Sequence, residues 1–147
     1  MDRIEKTVEF FGKQGNCSQA ILATFGPGFG LDQGLAMGLG RSLGGGMGHL
    51  GLVCGAVSAG MLILGLASNG SDDEAQRRAA SYEAVQAFSE RFAALHGSVQ
   101  CRDLLGLNLR DPRELAQARE RGLFASFCPG LVRDVSRLLL ELTAREE

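Results

Sequence analysis

Four cysteines are the residues of this chain best suited to chemistry. Cys17, Cys54, Cys101 and Cys128 are separated by 37, 47 and 27 residues, and no C-x-x-C pair occurs. Each cysteine falls in the first turn of a predicted helix, or just before it. Free backbone N–H groups and the helix dipole favour an anion at that position and lower the pKa of a thiol. The pattern therefore predicts four activated thiols at helix N-termini.

Two kinds of site fit four scattered thiols. Structural zinc sites usually show paired short spacings, so a zinc finger or ribbon is disfavoured. Cysteines far apart in sequence can still converge to hold an iron–sulfur cluster. They can equally form dithiol/disulfide couples, for which four cysteines allow three connectivities. Both alternatives stay open on the residues alone, and we favour the thiol chemistry because no accessory cluster motif is present.

Three further residues are candidates for supporting these thiols. Asn16 directly precedes Cys17 and can cap its helix. His49 stands five residues before Cys54 and can contact a thiolate or act as a ligand. Gly55 recurs with Gly51 and Ala59 at every fourth position, which predicts a smooth helical ridge beside Cys54. A neighbouring backbone can approach closely there, and the same ridge is a candidate contact for a homodimer.

The elements that position these residues are predicted to be helices throughout. Capping residues and apolar periodicity favour helices that start after Asp2, Asn16, Asp32, Ser98 and Asp111. The uncharged segment 50–68 predicts a buried glycine-rich helix, and Cys128-Pro129 starts the last helix. Residues 71–74 form a candidate capping box for a long helix. The predicted buried face of that helix comprises Tyr82, Val85, Phe88, Phe92 and Leu95.

Composition favours one all-α domain over residues 1–147, with six to seven helices around a glycine-rich central helix. The chain has 147 residues and a mass of 15.6 kDa, enough for one hydrophobic core. Residues 1–71 hold 17 of the 21 glycines, and no charge occurs from 42 to 71. We expect this half to be the buried centre and residues 72–147 to form solvated outer helices.

Several classes of function are disfavoured. A net charge of −2, no Trp and one Tyr argue against nucleic-acid binding. The stretch from Gly46 to Gly51 matches G-x-G-x-x-G, but the segment before it is predicted to be a helix rather than the strand that a dinucleotide site needs, so no nucleotide is expected. The uncharged run 50–67 contains too many glycines for a convincing membrane span. The acidic N-terminus does not resemble a signal peptide, so we expect the cytoplasm, where structural disulfides are rare.

The chain resembles the C_GCAxxG_C_C family of small redox-active proteins with four cysteines. The matching residues are Asn16-Cys17-Ser-Gln-Ala20, Gly44-Gly-Gly-Met-Gly48, Cys54-Gly-Ala56, Cys101-Arg-Asp-Leu-Leu-Gly106 and Cys128. One departure is Ala59, which stands where the last glycine of the motif is expected, with Gly60 one place later. The resemblance implies a redox role and a frequent genomic association with transporters.

These observations lead to one predicted function and two alternatives. We expect Cys17, Cys54, Cys101 and Cys128 to converge and to exchange electrons as dithiol and disulfide with a redox partner protein or a small-molecule thiol. The same four cysteines could instead hold an iron–sulfur or other metal cluster. An alternative of another class is a non-catalytic helical accessory protein linked to a membrane transporter, in which the cysteines only pack.

Overall fold

The computed structural model describes residues 2–144, which form an all-α fold, as the sequence predicts. No strand forms among these residues, apart from isolated bridges. A 3₁₀ turn (Gly26–Phe29) follows the second helix. The helices are α1 (Arg3–Lys13), α2 (Cys17–Phe25), α3 (Gln33–Gly40), α4 (Gly44–Met47), α5 (Gly55–Ala67), α6 (Glu74–His96), α7 (Cys101–Leu105), α8 (Pro112–Glu120), α9 (Leu123–Ser126) and α10 (Cys128–Leu142).

The glycine-rich helix α5 lies at the centre of the molecule. It packs against α2 on one side and against α6 and α10 on the others. Gly60 allows a close contact with α6, because a Cβ atom there would stand 2.6 Å from the ring of Phe88. The main core draws on both halves of the chain, since α10 contributes Leu131, Val132 and Val135 to it. Residues far apart in sequence are thereby held rigidly around the N-terminal end of α5.

Two expectations about the long helix α6 were wrong. Its N-cap is Asp73, which accepts a hydrogen bond from the Ala75 amide, whereas Ser71 lies outside the helix. Phe88 and Phe92 are fully buried and Val85 is half-buried, but Tyr82 and Leu95 are 61% and 60% exposed. The helix has 23 residues, and only Phe88 and Phe92 of its predicted face are fully buried.

The central helix begins later than the sequence indicates. Residues from Gly45 to Gly51 include a run with positive φ, among them the non-glycine residues Met47 and His49, so the chain turns here instead of starting a helix at 50. Gly51 therefore lies outside α5, and only Gly55 and Ala59 remain on the predicted ridge. Both are buried against residues of the same chain. The ridge is an internal contact and offers no surface to a second copy.

The uncharged run around α5 also bears on membrane insertion. Helix α5 has only 13 residues. Across residues 2–144, no helix combines the length and the apolar character needed to cross a bilayer.

Candidate functional site

All four cysteines line one cavity of about 510 Å³. Cys54 and Cys101 are buried, at 5% and 7% exposure, while Cys17 and Cys128 are half-buried. All four are unbridged thiols in this structure. The structure thus brings together the predicted site residues, which come from the N-terminal ends of four different helices.

Asn16 positions Cys17, the first residue of α2. The Asn16 side chain accepts a hydrogen bond from the Gln19 amide, and the Gln19 side chain accepts one from the Asn16 amide. This reciprocal capping box confirms the predicted cap. The side-chain nitrogen of Asn16, Nδ2, also donates to the carbonyl oxygens of Gly40 and Arg41, each at 3.3 Å. One side chain therefore fixes the start of α2 and joins it to the end of α3.

Gly55 makes room for the Cys17 sulfur. A Cβ atom on Gly55 would stand 2.6 Å from the Cys17 sulfur and 2.9 Å from the Leu43 carbonyl oxygen. Real Cβ atoms do not approach other atoms so closely, so only glycine lets the start of α2 lie against the start of α5. The predicted close approach beside Cys54 is confirmed, and Cys17 provides it.

Backbone pairing holds Cys54 next to Cys101. The Cys54 amide donates to the Val99 carbonyl at 2.8 Å, and the Cys101 amide donates to the Leu52 carbonyl at 2.6 Å. Gly46 lies against this pair with φ +72°, and a Cβ atom there would stand 2.7 Å from the Cβ atom of Cys101. The turn over residues 45–51, called the glycine turn below, therefore allows two cysteines 47 residues apart in sequence to line the same cavity.

The helix starts differ in detail from those predicted. Cys54 is the N-cap residue of α5, and Cys101 is the first residue of α7. Ser98 is not the cap of α7, since Gln100 precedes the helix and its side chain makes no capping hydrogen bond. Ser98 instead accepts a hydrogen bond from the Gln100 amide. Cys128 starts α10 directly before Pro129, as predicted.

Burial reverses the predicted shift of the thiol pKa values. Desolvation raises the pKa of all four cysteines, to about 12 for Cys101 and for Cys128. Backbone amides act in the opposite direction at two thiols. Those of Val57 and Ala56 lower the pKa of Cys54, and that of Ser18 lowers the pKa of Cys17. The expectation of lowered pKa values was wrong because the helix N-termini are buried in the cavity wall, where loss of hydration outweighs the helix amides.

The thiols also act on one another, and Cys54 dominates these interactions. After desolvation, a charge on Cys54 is the largest cause that raises the pKa of Cys17, Cys101 and Cys128. Cys128 and Cys101 raise the pKa of Cys17 further, and Cys101 does the same for Cys128. Like charges disfavour one another at short range, so formation of one thiolate opposes a second. Ionisation of Cys54 therefore opposes ionisation of each of the other three thiols.

His49 lines the same cavity, and its contact with a thiolate stays a prediction. Its backbone has φ +66°, and a Cβ atom on Gly45 would stand 2.1 Å from its ring. The cavity also contains residues that sequence reasoning did not identify, among them Arg41 and Arg119. No spacing signal marks these two arginines, because they reach the cavity from the ends of α3 and α8. The apolar part of the wall comprises Phe11, Leu104, Leu105, Leu115, Phe124 and Leu131.

A single metal ion would need three or more ligand side chains closer together than the cysteines of the cavity are. Among residues 2–144, no three His, Cys, Asp or Glu side chains form a group that could hold one ion.

Comparison with known proteins gives one match. The family model described as "Putative redox-active protein (C_GCAxxG_C_C)" matches residues 15–142, which include all four cysteines and the glycine turn. No curated protein and no solved structure matches the chain. The match covers most of the chain and agrees with the resemblance carried by the cysteine motifs. The chain therefore belongs to the C_GCAxxG_C_C family of redox-active proteins.

Proposed function

We propose that the four-thiol cavity is a redox centre that cycles between dithiol and disulfide, with Cys54 as the shared member of the couple. The observation that carries this proposal is the convergence of the four thiols on one cavity, in which ionisation of Cys54 would oppose ionisation of each of the other three. Whichever of the other three thiols reacts with an oxidant, Cys54 lines the same cavity and is the thiol proposed to close the internal bridge.

The electron balance of the cycle is simple. Two protein thiols lose two electrons and two protons and form one S–S bond. The S–S bond of the acceptor, a disulfide on a redox partner protein or on a small molecule, breaks and takes up these electrons and protons as two thiols. A thiol on a redox partner protein or on a small molecule then reduces the disulfide of the protein and restores its dithiol state. Such a cycle suits the cytoplasm, where thiol pools keep cysteines reduced.

The electrostatics of the site support stepwise reaction. A thiolate, not a thiol, attacks a disulfide. Burial and mutual repulsion favour one thiolate at a time, and backbone amides stabilise it at Cys54, through Ala56 and Val57, and at Cys17, through Ser18. The remaining thiols stay protonated until exchange begins, which leaves them available as the second partner of the bridge.

The direct test is a count of thiols with and without a mild oxidant. The reduced protein is treated with a small disulfide, and free thiols and intact mass are then measured. We expect loss of thiols in pairs, with no mass added from the oxidant and no linkage between chains. The urea-unfolded protein is the control and should accumulate mixed disulfides instead. Four thiols that remain free and unreactive in the folded chain would contradict the proposal and favour the helical accessory of a transporter.

A second candidate uses the same cysteines as ligands of an iron–sulfur cluster. The observation that favours it is the convergence of four thiols on a cavity of about 510 Å³, since cluster ligands lie around an inorganic core and not around one ion. Anaerobic incubation with iron and sulfide tests it. Broad absorption bands between roughly 320 and 420 nm, lost in cysteine variants, would support a cluster. A colourless protein that forms internal disulfides would favour the thiol cycle.

A further inference from the structure

The side chains around the thiol cavity carry an unbalanced positive charge. Arg41 and Arg119 both line the cavity, and His49 adds a third potential cation. No Asp or Glu occurs among the described residues of the cavity wall. This imbalance is local, because the whole chain has a net charge of −2.

The side chains of the two arginines form no ion pair with any residue between 2 and 144. By contrast, Arg91 and Arg133 bind Glu141 and Glu5. Arg41 and Arg119 are exposed, while Cys54 and Cys101 are buried. Both arginines are therefore exposed residues of a cavity whose wall buries Cys54 and Cys101. A guanidinium binds a carboxylate through two parallel hydrogen bonds, which makes it suited to an anionic ligand.

We propose that the cavity admits a small disulfide that carries carboxylate groups, held by Arg41 and Arg119 while its S–S bond meets the thiols. This inference rests on the proposed thiol cycle and names its substrate class. The volume of about 510 Å³ lies within the range of small-molecule sites. The apolar wall, which includes Leu115 and Phe124, packs against the carbon chain between the carboxylate and the sulfur.

The reaction proceeds by two exchanges. A cysteine thiolate attacks one sulfur of the bound disulfide, the S–S bond of the substrate breaks, and the first half leaves as a thiolate. A second cysteine then loses its proton and attacks the mixed disulfide, which closes the internal bridge and releases the other half. The protons given up by the two cysteines end on the two released thiols. Two electrons have moved from the protein to the substrate.

The direction of charge preference distinguishes this proposal from ordinary thiol chemistry. A thiolate repels an anionic disulfide, so a simple thiol reacts faster with a neutral or cationic one. A preference for the anionic disulfide therefore requires cations at the site. Electrostatic attraction of this kind raises rates by about tenfold or more and weakens as salt is added.

The test compares three disulfides of similar length with the reduced full-length protein. Dithiodipropionate carries two carboxylates, bis(2-hydroxyethyl) disulfide is neutral, and cystamine carries two ammonium groups. The second-order rate of thiol loss is measured for each, in low and in high salt. We expect dithiodipropionate to react about tenfold faster than the neutral disulfide, with cystamine slowest, and the preference to shrink in high salt.

Three arginine variants complete the test. Arg41→Gln and Arg119→Gln should each reduce the preference for dithiodipropionate. Arg113→Gln removes the same charge from α8, but Arg113 is exposed and lies outside the cavity wall, so the preference should persist. Equal rates for the three disulfides, or an unchanged preference in both cavity variants, would overturn this inference and leave the thiol cycle standing. Failure of every disulfide to produce an internal bridge would overturn the thiol cycle itself.

Discussion

The sulfur of Cys17 lies 2.6 Å from the point that a Cβ atom on Gly55 would occupy. Glycine at this position thus places a thiol from the first part of the chain beside Cys54 at the start of the central helix. The sequence Cys54-Gly55-Ala56 at the start of α5 therefore combines two roles. Its cysteine supplies a sulfur, and its glycine supplies the space for another one.

This contact predicts the effect of Gly55→Ala. The added methyl group must displace the Cys17 sulfur or the Leu43 carbonyl, so we expect a loss of about 1–3 kcal/mol in the free energy of unfolding and an altered alkylation rate at Cys17. Urea denaturation and peptide-resolved alkylation measure the two effects. Gly38→Ala is the matched control, since Gly38 lies in α3 with nothing within 4 Å of an added Cβ atom. It should stabilise the chain by up to about 1 kcal/mol. Equal effects of the two substitutions would contradict the packing argument.

Asn16→Ala should cost more stability than the loss of a simple cap. Asn16 caps α2 and also donates to two carbonyls at the end of α3, so we expect a loss of about 2–3 kcal/mol. Asp32→Ala is the comparison, because Asp32 caps α3 through the Leu35 amide alone and should cost about 1 kcal/mol. Chemical denaturation measures both variants. A smaller loss for Asn16→Ala than for Asp32→Ala would show that its contacts to α3 add no stability.

The raised thiol pKa values predict a loss of stability at alkaline pH. Unfolded thiols ionise near their ordinary pKa of 9.0, whereas Cys101 and Cys128 keep their protons until about pH 12 in the folded chain. The folded state therefore binds more protons in this range, and the free energy of unfolding falls as the pH rises from 9 to 12. Urea denaturation of the reduced protein at about pH 8 and about pH 10.5 measures the fall. The double variant Cys101→Ser/Cys128→Ser should show a smaller fall, and an identical one would contradict the raised values.

The helix starts follow from local signals in the sequence, whereas the convergence of the cysteines depends on contacts between distant segments. Asn16, Asp32 and Pro129 mark helix starts by chemistry that acts within one turn, and the structure confirms them. A turn at residues 44–48 is expected from the glycines, but its continuation to Gly51 was not predicted, because His49 adopts positive φ only within the folded chain. The thiol pKa values were predicted in the wrong direction because a helix N-terminus is visible in sequence, whereas its burial depends on long-range packing.

The two arginines of the cavity could not be found for a similar reason. Arg41 and Arg119 are ordinary surface residues by pattern, and 78 positions separate them in sequence. Only the arrangement of α3 and α8 around the cavity brings them to the same opening as the thiols. Local rules thus identify which residues can react, and the tertiary structure identifies which charges surround them.

The central claim is that Cys54 is the shared member of the internal disulfide, and Cys54→Ser tests it most directly. The reduced variant is treated with a small disulfide, and closure of an internal bridge is followed by thiol loss without added mass. Cys101→Ser is the matched control, because Cys101 is buried to a similar degree and its removal leaves Cys54 with two neighbouring thiols. We expect Cys101→Ser to close a bridge and Cys54→Ser to accumulate mixed disulfides or remain reduced. Closure of an internal bridge in Cys54→Ser at the wild-type rate would contradict the account.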